Sequence, residues 1–264
     1  MRNSLIIGWI VAACPGLALA DFTYPDFSST AGLNLVEAAA QSGTVLRMTP
    51  PAGQMRGGAW RSDRQHIAGG FDTTFLFRMC EPTPPPFVGA DGLAFVVQDF
   101  DVAALGGVGL DISYAGIPRS LAVEIDTFVN SDQSDPASSH LGILSRGTLP
   151  NSPDHNVAGY GVYPIAGSLY DGIERSVRIR YVPGTLEVFY DGAAIPAMSA
   201  ALDLPALIGS ADGAAYVGFT SATGAAWGVH DVTSWSFQSV PEPSTLALLA
   251  GASVLGLRRR SRTA

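Results

Sequence analysis

The 264-residue chain is 47% hydrophobic and 14% charged, so it carries enough apolar surface for a core and is not a disordered chain. All 15 basic residues are arginine. Five of them lie at Arg2 and in the tail, which leaves residues 21–244 with ten arginines against 23 acids. A body this acidic excludes a nucleic-acid partner, whose phosphates need a basic face, and suits cations and neutral ligands.

The N-terminus opens with Met1-Arg2-Asn3-Ser4, runs apolar from Leu5 to Cys14 and reaches Ala18-Leu19-Ala20 before Asp21. A basic start, a short apolar stretch and an A-x-A site predict a secretory signal peptide over 1–20, cut by signal peptidase after Ala20. Val11-Ala12-Ala13-Cys14 loosely resembles a lipoprotein box, but Pro15 and the better Ala20 site count against it. Removal of Cys14 leaves Cys80 alone, so no internal disulfide forms. Cys80 follows Phe75, Phe77 and Met79 and is expected to be a small buried apolar residue.

From residue 21 to 239 the pattern is period two. Leu35 to Ala40 is the one stretch that reads as a short helical turn. Phe71, Thr73, Phe75 and Phe77 alternate, Leu121, Val123 and Ile125 alternate with Ala122, Glu124 and Asp126, and Val177, Ile179 and Tyr181 alternate with Ser176, Arg178 and Arg180. Thr185–Tyr190 follows Pro183-Gly184, so it forms a hairpin with the run before it. Tyr216–Thr220 and Val232–Phe237 read as a further strand pair, and Trp60 and Trp235 as core. Strands separated by Gly, Pro, Asn and Asp, with no linker before residue 240, predict a single all-β domain, an antiparallel β-sandwich.

The chemistry lies between Leu121 and Ile143. Glu124 and Asp126 stand two apart on a strand, so both carboxylates share a face, and Phe128 and Asn130 continue that register. Asp135 opens an Asp-Pro turn and His140 precedes the next apolar run, so a loop of about ten residues doubles back and brings both over the carboxylates. Three carboxylates and an imidazole suit a manganese-like ion, while carboxylate, carboxamide and backbone oxygens suit calcium. His66, His155 and His230 have no such setting and read as structural.

The run E-x-D-x-[aromatic]-x-N-x4-D-P-x3-H resembles the legume-type (L-type) lectins at every position. The resemblance implies a concanavalin-like jelly roll over 21–239. It also implies a transition metal such as Mn2+ on Glu124, Asp126, Asp135 and His140, and Ca2+ on Asp126, the Phe128 carbonyl, Asn130 and Asp135. Ala90-Asp91-Gly92-Leu93-Ala94-Phe95 is similar to the family segment in which a cis Ala-Asp peptide places the sugar-binding aspartate. Gly106-Gly107 resembles the glycine loop that offers a backbone N–H to the sugar, although its layout differs. Gly218–Phe237 resembles the last specificity loop and final strand. The carbohydrate residues implied are Asp91, Gly107, Phe128 and Asn130, with Gly224, Ala225, Ala226 and Trp227 setting preference. That loop is short and bears a tryptophan, so the sugar does not carry over.

Two other functions fit the composition. Laminarinase-like glycoside hydrolases share the sandwich and use E-x-D-x-(x)-E, in which two acids perform hydrolysis. Here Thr127, Phe128 and Val129 follow Asp126 and no second glutamate appears, so the chain is read as a non-enzyme. A structural surface or biofilm-matrix protein would use the same fold for adhesion and differ only in its ligand.

The C-terminus reads Val240-Pro241-Glu242-Pro243-Ser244, then small and apolar residues from Thr245 to Leu257, then Arg258-Arg259-Arg260. Such a stretch spans about 20 Å as a helix, against ~30 Å for a bilayer core. A short permanent anchor is one reading. The order of the three parts closely resembles the PEP-CTERM sorting signal of Gram-negative bacteria. It implies a sorting tail over 240–264, removed by an exosortase-type enzyme after transient inner-membrane contact, and export to the cell surface or extracellular matrix.

Overall fold

The computed structural model describes residues 21–85, 88–136 and 139–240; the expected signal peptide and most of the expected sorting tail lie outside them. In chain order the strands are β1 (Phe22–Tyr24), β2 (Leu33–Glu37), β3 (Ala40–Ser42), β4 (Val45–Thr49), β5 (Arg56–Arg61), β6 (Gln65–His66), β7 (Phe71–Cys80) and β8 (Gly92–Gln98). They continue with β9 (Ser120–Asp126), β10 (His140–Ser145), β11 (Gly159–Pro164), β12 (Arg175–Val182), β13 (Gly184–Tyr190), β14 (Met198–Leu202), β15 (Ala214–Ala222) and β16 (Val229–Ser239). Two short α-helices, α1 (His155–Ala158) and α2 (Leu204–Ile208), and two 3-10 turns, over Gly109–Asp111 and Ser131–Gln133, complete the described elements.

One sheet runs β14-β13-β12-β7-β16-β4-β3 with β1 on β16, and the other runs β11-β10-β9-β8-β15-β5-β2 with β6 on β15. Each pairing in both sheets is antiparallel, as a sandwich of this kind requires. Between the sheets, Phe75, Phe95, Phe219 and Trp235 pack ring against ring at 4.7–6.3 Å. The Trp235 indole N–H donates to Thr73 Oγ1 at 2.9 Å, which satisfies the one polar atom this core residue brings.

A second apolar layer forms on the outer face of β8 and β9. Trp60, Ala94, Val96 and Ala122 are covered there by Ala104, Ile112, Tyr114, Ala115 and Ile117 from the 99–119 connection. The Trp60 indole N–H donates to the Ala104 carbonyl at 2.9 Å and anchors that cover. Both faces of β8 and β9 are therefore covered, and every residue of each strand is buried. Glu124 and Asp126 lie on the covered face, so their carboxylates are enclosed rather than solvated.

Three local expectations are corrected. Leu33–Glu37 is an edge strand against β5, not a helical turn; its pairing with Gly57–Arg61 overrides the helix-forming run of alanines. Tyr216–Thr220 and Val232–Phe237 are strands, but they do not pair: β15 bonds β8 and β5, while β16 bonds β7 and β4. The connection between them crosses from sheet to sheet and so comes to lie at one end of the sandwich. Cys80 is a free thiol but only half-buried, because β7 ends there as it leaves the core.

Candidate metal and sugar site

Strands β9 and β10 are aligned so that His140 stands opposite Asp126 and Gly142 opposite Glu124. Their side chains meet on the covered face. Glu124 Oε1 lies 3.4 Å from His140 Nε2, and Asp126, Asp135 and His140 hold ligand atoms within 4.8 Å of one another. Asp126 Oδ1 accepts the Phe128 N–H at 2.7 Å, and Asp135 Oδ2 accepts the Asn130 N–H at 2.6 Å. The two carboxylates thereby fold the chain after β9 into a tight loop, which continues as a single 3-10 turn over Ser131–Gln133.

The electrostatics of this cluster are those of buried charge. Burial, and then repulsion from Glu124 and Asp135, pushes the Asp126 carboxyl well above the usual carboxylate range. Burial likewise raises Asp135. Burial works against the charge on Glu124 too, but the nearby His140 and His155 imidazoles, and the hydroxyl of Tyr114 on its other oxygen, hold it below its ordinary value.

His155 is the residue that sequence reasoning missed. It opens α1, is nearly buried, and places Nε2 3.1 Å from Glu124 Oε1 and 3.0 Å from His140 Nε2. The Asp154 side chain caps that turn through the Asn156 N–H and also accepts from Ser134 Oγ, which ties α1 to the Asp135 loop. The only local signal was Ser152-Pro153-Asp154 ahead of it, a helix-start pattern that says nothing of what the next side chain touches.

The expected sugar residues surround the same loop. The Ala90–Asp91 peptide is cis. The Asp91 carbonyl accepts both the Thr127 N–H at 2.9 Å and the Thr127 hydroxyl at 2.8 Å, which fixes Asp91 beside Phe128. Burial pushes the Asp91 carboxyl up to about 7, opposed only by a hydrogen bond from the Gly224 N–H. Phe128 and Asn130 are half-buried. The 224–227 loop is held at both ends: Gly224 O accepts the Gln54 N–H at 2.8 Å, and the Trp227 N–H donates to Thr83 Oγ1 at 2.6 Å. Ala225 is exposed, Ala226 and Trp227 are half-buried, and the Trp227 ring lies over Gly53, so it serves partly as packing.

The glycine loop brings two glycines near this end of the sandwich. A Cβ on Gly107 would meet the Asp111 carboxylate at 1.9 Å, whereas one on Gly109, at φ +65°, would lie 4.0 Å from Asp91 Oδ2 and 3.6 Å from Gly224 Cα. Gly109 is the glycine that closes on Asp91 and the specificity loop, and its left-handed backbone explains why a glycine stands there. Gly107 contributes a carbonyl that accepts from Ser113 Oγ at 3.0 Å.

Among the described residues, Asp91 Oδ2, Glu124 Oε1 and Asn130 Oδ1 are buried side-chain oxygens with no hydrogen-bond partner. Each such atom costs about 1–3 kcal/mol if it stays unpaired, and Glu124 belongs to the cluster that also gathers His140 and His155. The arrangement can hold hard cations on oxygen, a transition metal on mixed oxygen and nitrogen, and a hydroxyl-rich molecule at Asp91.

Two antiparallel sheets with few helices make this the jelly-roll fold of the legume lectins. The chain matches the family described as "Legume lectin domain" over residues 19–249 and belongs to it. Residues 239–262 match the "PEP-CTERM protein-sorting motif". Among curated relatives, an L-type lectin-domain containing receptor kinase, SIT1, of Oryza sativa subsp. japonica is 30% identical over 84% of this chain. The chain spans only 37% of that kinase's length. A lectin of Bauhinia forficata is 28% identical over 83% of the chain and 95% of its own length. Among solved structures, the Bauhinia forficata lectin in complex with GalNAc aligns at TM-score 0.69 and 24% identity, covering 83% of this chain and 97% of that one. Basic winged bean lectin with Tn-antigen aligns at 0.66 and 26% identity, covering 83% and 98%. The matching family is one of sugar-binding lectins rather than of enzymes.

Proposed function

We propose that this chain is an exported lectin that binds carbohydrate in a shallow pocket ordered by calcium and a transition metal. The observation that carries the reading is the Asp91 carboxylate. Its Oδ2 is buried without a partner, it stands beside Gly109 and Gly224, and its backbone is bonded to Thr127 at the edge of the acidic cluster.

The residues present fit the ions. Asn130 Oδ1 and Glu124 Oε1 are enclosed and unsatisfied, which is what a cation would relieve. Ca2+ would be held by Asp126, Asn130, Asp135 and the Phe128 carbonyl, and a transition metal such as Mn2+ by Glu124, Asp126, Asp135 and His140. Both ions would fix the Phe128–Asn130 turn. Sugar hydroxyls would then donate to Asp91 and accept from the Asn130 amide, while the Phe128 ring covers the apolar face of the pyranose. The 224–227 loop sets preference. The lectins of Bauhinia forficata and winged bean, solved with GalNAc and with Tn-antigen, support a saccharide as the ligand class.

Export to the cell surface rests on the sorting motif at 239–262, whose apolar stretch would touch the inner membrane before an exosortase-type enzyme acts. No described helix is long and apolar enough to cross a membrane.

A glycan array of the purified protein, run with and without chelator, tests the function. Saccharide binding that disappears with chelator supports it. Asp91→Ala and Asn130→Ala variants that stay folded and bind the best array hit as well as the parent would place the pocket elsewhere.

A further inference from the structure

We infer that His155 is a direct ligand of the transition metal, which makes this a two-imidazole site that prefers a nitrogen-seeking ion such as Zn2+ over Mn2+. The inference rests on the metal-assisted reading above and adds a residue that lies outside the sequence pattern on which that reading was built.

Three atoms converge. Glu124 Oε1, His140 Nε2 and His155 Nε2 form a triangle with sides of 3.4, 3.1 and 3.0 Å. A point about 2.1 Å from all three, the length of a metal–imidazole or metal–carboxylate bond, lies roughly 1 Å out of their plane. The angles subtended there are about 90–110°, within the range of six- and four-coordinate ions. Asp135 Oδ1 stands 3.9 Å from His155 Nε2 and supplies a further oxygen.

The surroundings are built for this convergence. Glu124 is buried, and its Oε1 accepts no well-formed hydrogen bond although both imidazoles are close. Its other oxygen is engaged by the Tyr114 hydroxyl, which leaves Oε1 as the free donor atom. His140 is fully buried and His155 nearly so. Room for the second imidazole comes from Gly142, opposite Glu124: a Cβ there would lie 2.5 Å from Glu124 Oε1 and 2.8 Å from His155 Cε1. Any other residue at that position would push His155 away. Imidazole suits zinc, copper and nickel, whereas an all-oxygen shell suits manganese, so replacing one oxygen or water position by nitrogen shifts preference toward the later ions.

The test uses the full-length purified protein, stripped with chelator and titrated with Mn2+, Zn2+ and Ca2+ by calorimetry, beside His155→Ala. Pulsed electron-spin resonance on the Cu2+- or Mn2+-loaded parent counts bound imidazoles and needs no variant. Two imidazoles in the parent and one in His155→Ala support the inference. So does a loss of about tenfold or more in Zn2+ affinity with a smaller loss for Mn2+ and an unchanged Ca2+ affinity. One imidazole in the parent overturns it and leaves His155 as a hydrogen-bond partner of His140, with the lectin reading intact. An unchanged Zn2+-to-Mn2+ ratio in a folded His155→Ala overturns it likewise. A parent that takes up no transition metal overturns the metal reading and this inference together. A parent that binds metal through two imidazoles but binds no glycan supports the inference while the lectin reading falls.

Discussion

Tyr114 donates its hydroxyl to Glu124 Oε2 at 2.5 Å, and both side chains are buried, so the second carboxylate oxygen is the one that faces His140 and His155. Tyr114 comes from the cover over β8 and β9, not from either strand. The cover thus does two things: it excludes water from the carboxylates and it orients one of them.

Tyr114→Phe keeps the ring and removes that orientation. Transition-metal affinity should fall by about 10–100-fold, the usual effect of deleting a group that holds a ligand in place. The metal-free protein should lose about 1–3 kcal/mol, because Glu124 Oε2 is left buried without its donor. Calcium affinity should hold, since Tyr114 touches none of the proposed calcium oxygens. Calorimetric titration of each ion reads all three, and an unaltered Mn2+ or Zn2+ isotherm would show that Glu124 is not a ligand.

Removing metal should destabilise the parent. Asp126 sits beside Glu124 and Asp135, and its carboxyl is raised first by burial and then by repulsion from those two. Cations bind only where the folded chain gathers these groups, so saturation at 100 times Kd should contribute about 2.7 kcal/mol per site. Thermal melts with chelator, and after return of Ca2+ and a transition metal, should differ by several degrees. Identical melting curves would mean that the cluster holds no ion.

How much of this was legible in the sequence depended on which surfaces each residue faces. β7 and β12 alternate because only one of their faces is buried, so Phe71–Met79 and Val177–Tyr181 announced themselves as strands. β8 is buried on both faces and shows no alternation; its place was visible only through the motif around Asp91. Glu124, Asp126, Asp135 and His140 lie in one stretch at fixed spacing, so pleat and turn geometry could bring them together on paper. His155 arrives from a different connection, and its approach depends on the missing Cβ of Gly142, a relation no local pattern carries. The nearness of Gly109 to Asp91 and Gly224 was not legible either, because it rests on a positive φ rather than on a dipeptide.

Asp91 gives the pH dependence its sign. Its folded carboxyl titrates at about 7 against 3.8 for the ordinary group, because burial disfavours its charge. Between those values the metal-free folded protein binds more protons than the unfolded chain, so stability falls as pH rises through that window. Asp91→Asn removes the charge. In chelator, the variant should match the parent near pH 4, gain on it steadily to pH 7 and keep a constant lead above, of at most about 4 kcal/mol. The same variant should lose sugar binding, because an amide replaces the acceptor. Denaturant midpoints across pH 4–8 measure the difference; a lead that shrinks with rising pH would contradict the enclosed carboxylate.

A last prediction concerns the support beneath Asp91. The Tyr170 ring is wedged between two glycines: a Cβ on Gly89 would come within 2.2 Å of it and one on Gly228 within 2.0 Å. Its hydroxyl lies 3.0 Å from Thr127 Oγ1 and 2.7 Å from His230 Nε2. Thr127 is the residue bonded twice to the Asp91 carbonyl, so Tyr170 is one side chain removed from Asp91, the proposed sugar acceptor. His230 is buried and its pKa is pushed down to about 3, so it is a neutral member of this network, with Nδ1 2.8 Å from both Thr49 Oγ1 and Ser221 Oγ. Tyr170→Phe strands His230 Nε2 and should cost about 1–3 kcal/mol. Gly228→Ala, in the connection directly before β16, drives a methyl into the ring and should cost about 1–3 kcal/mol by overpacking. Both should weaken the best array sugar several-fold while calcium still binds at parental strength, because Thr127 positions Asp91 and not the ion. Urea midpoints and paired sugar and calcium titrations read the two effects separately. A Gly228→Ala protein as stable as the parent would show that the Tyr170 wedge does not hold this end of the sandwich in place.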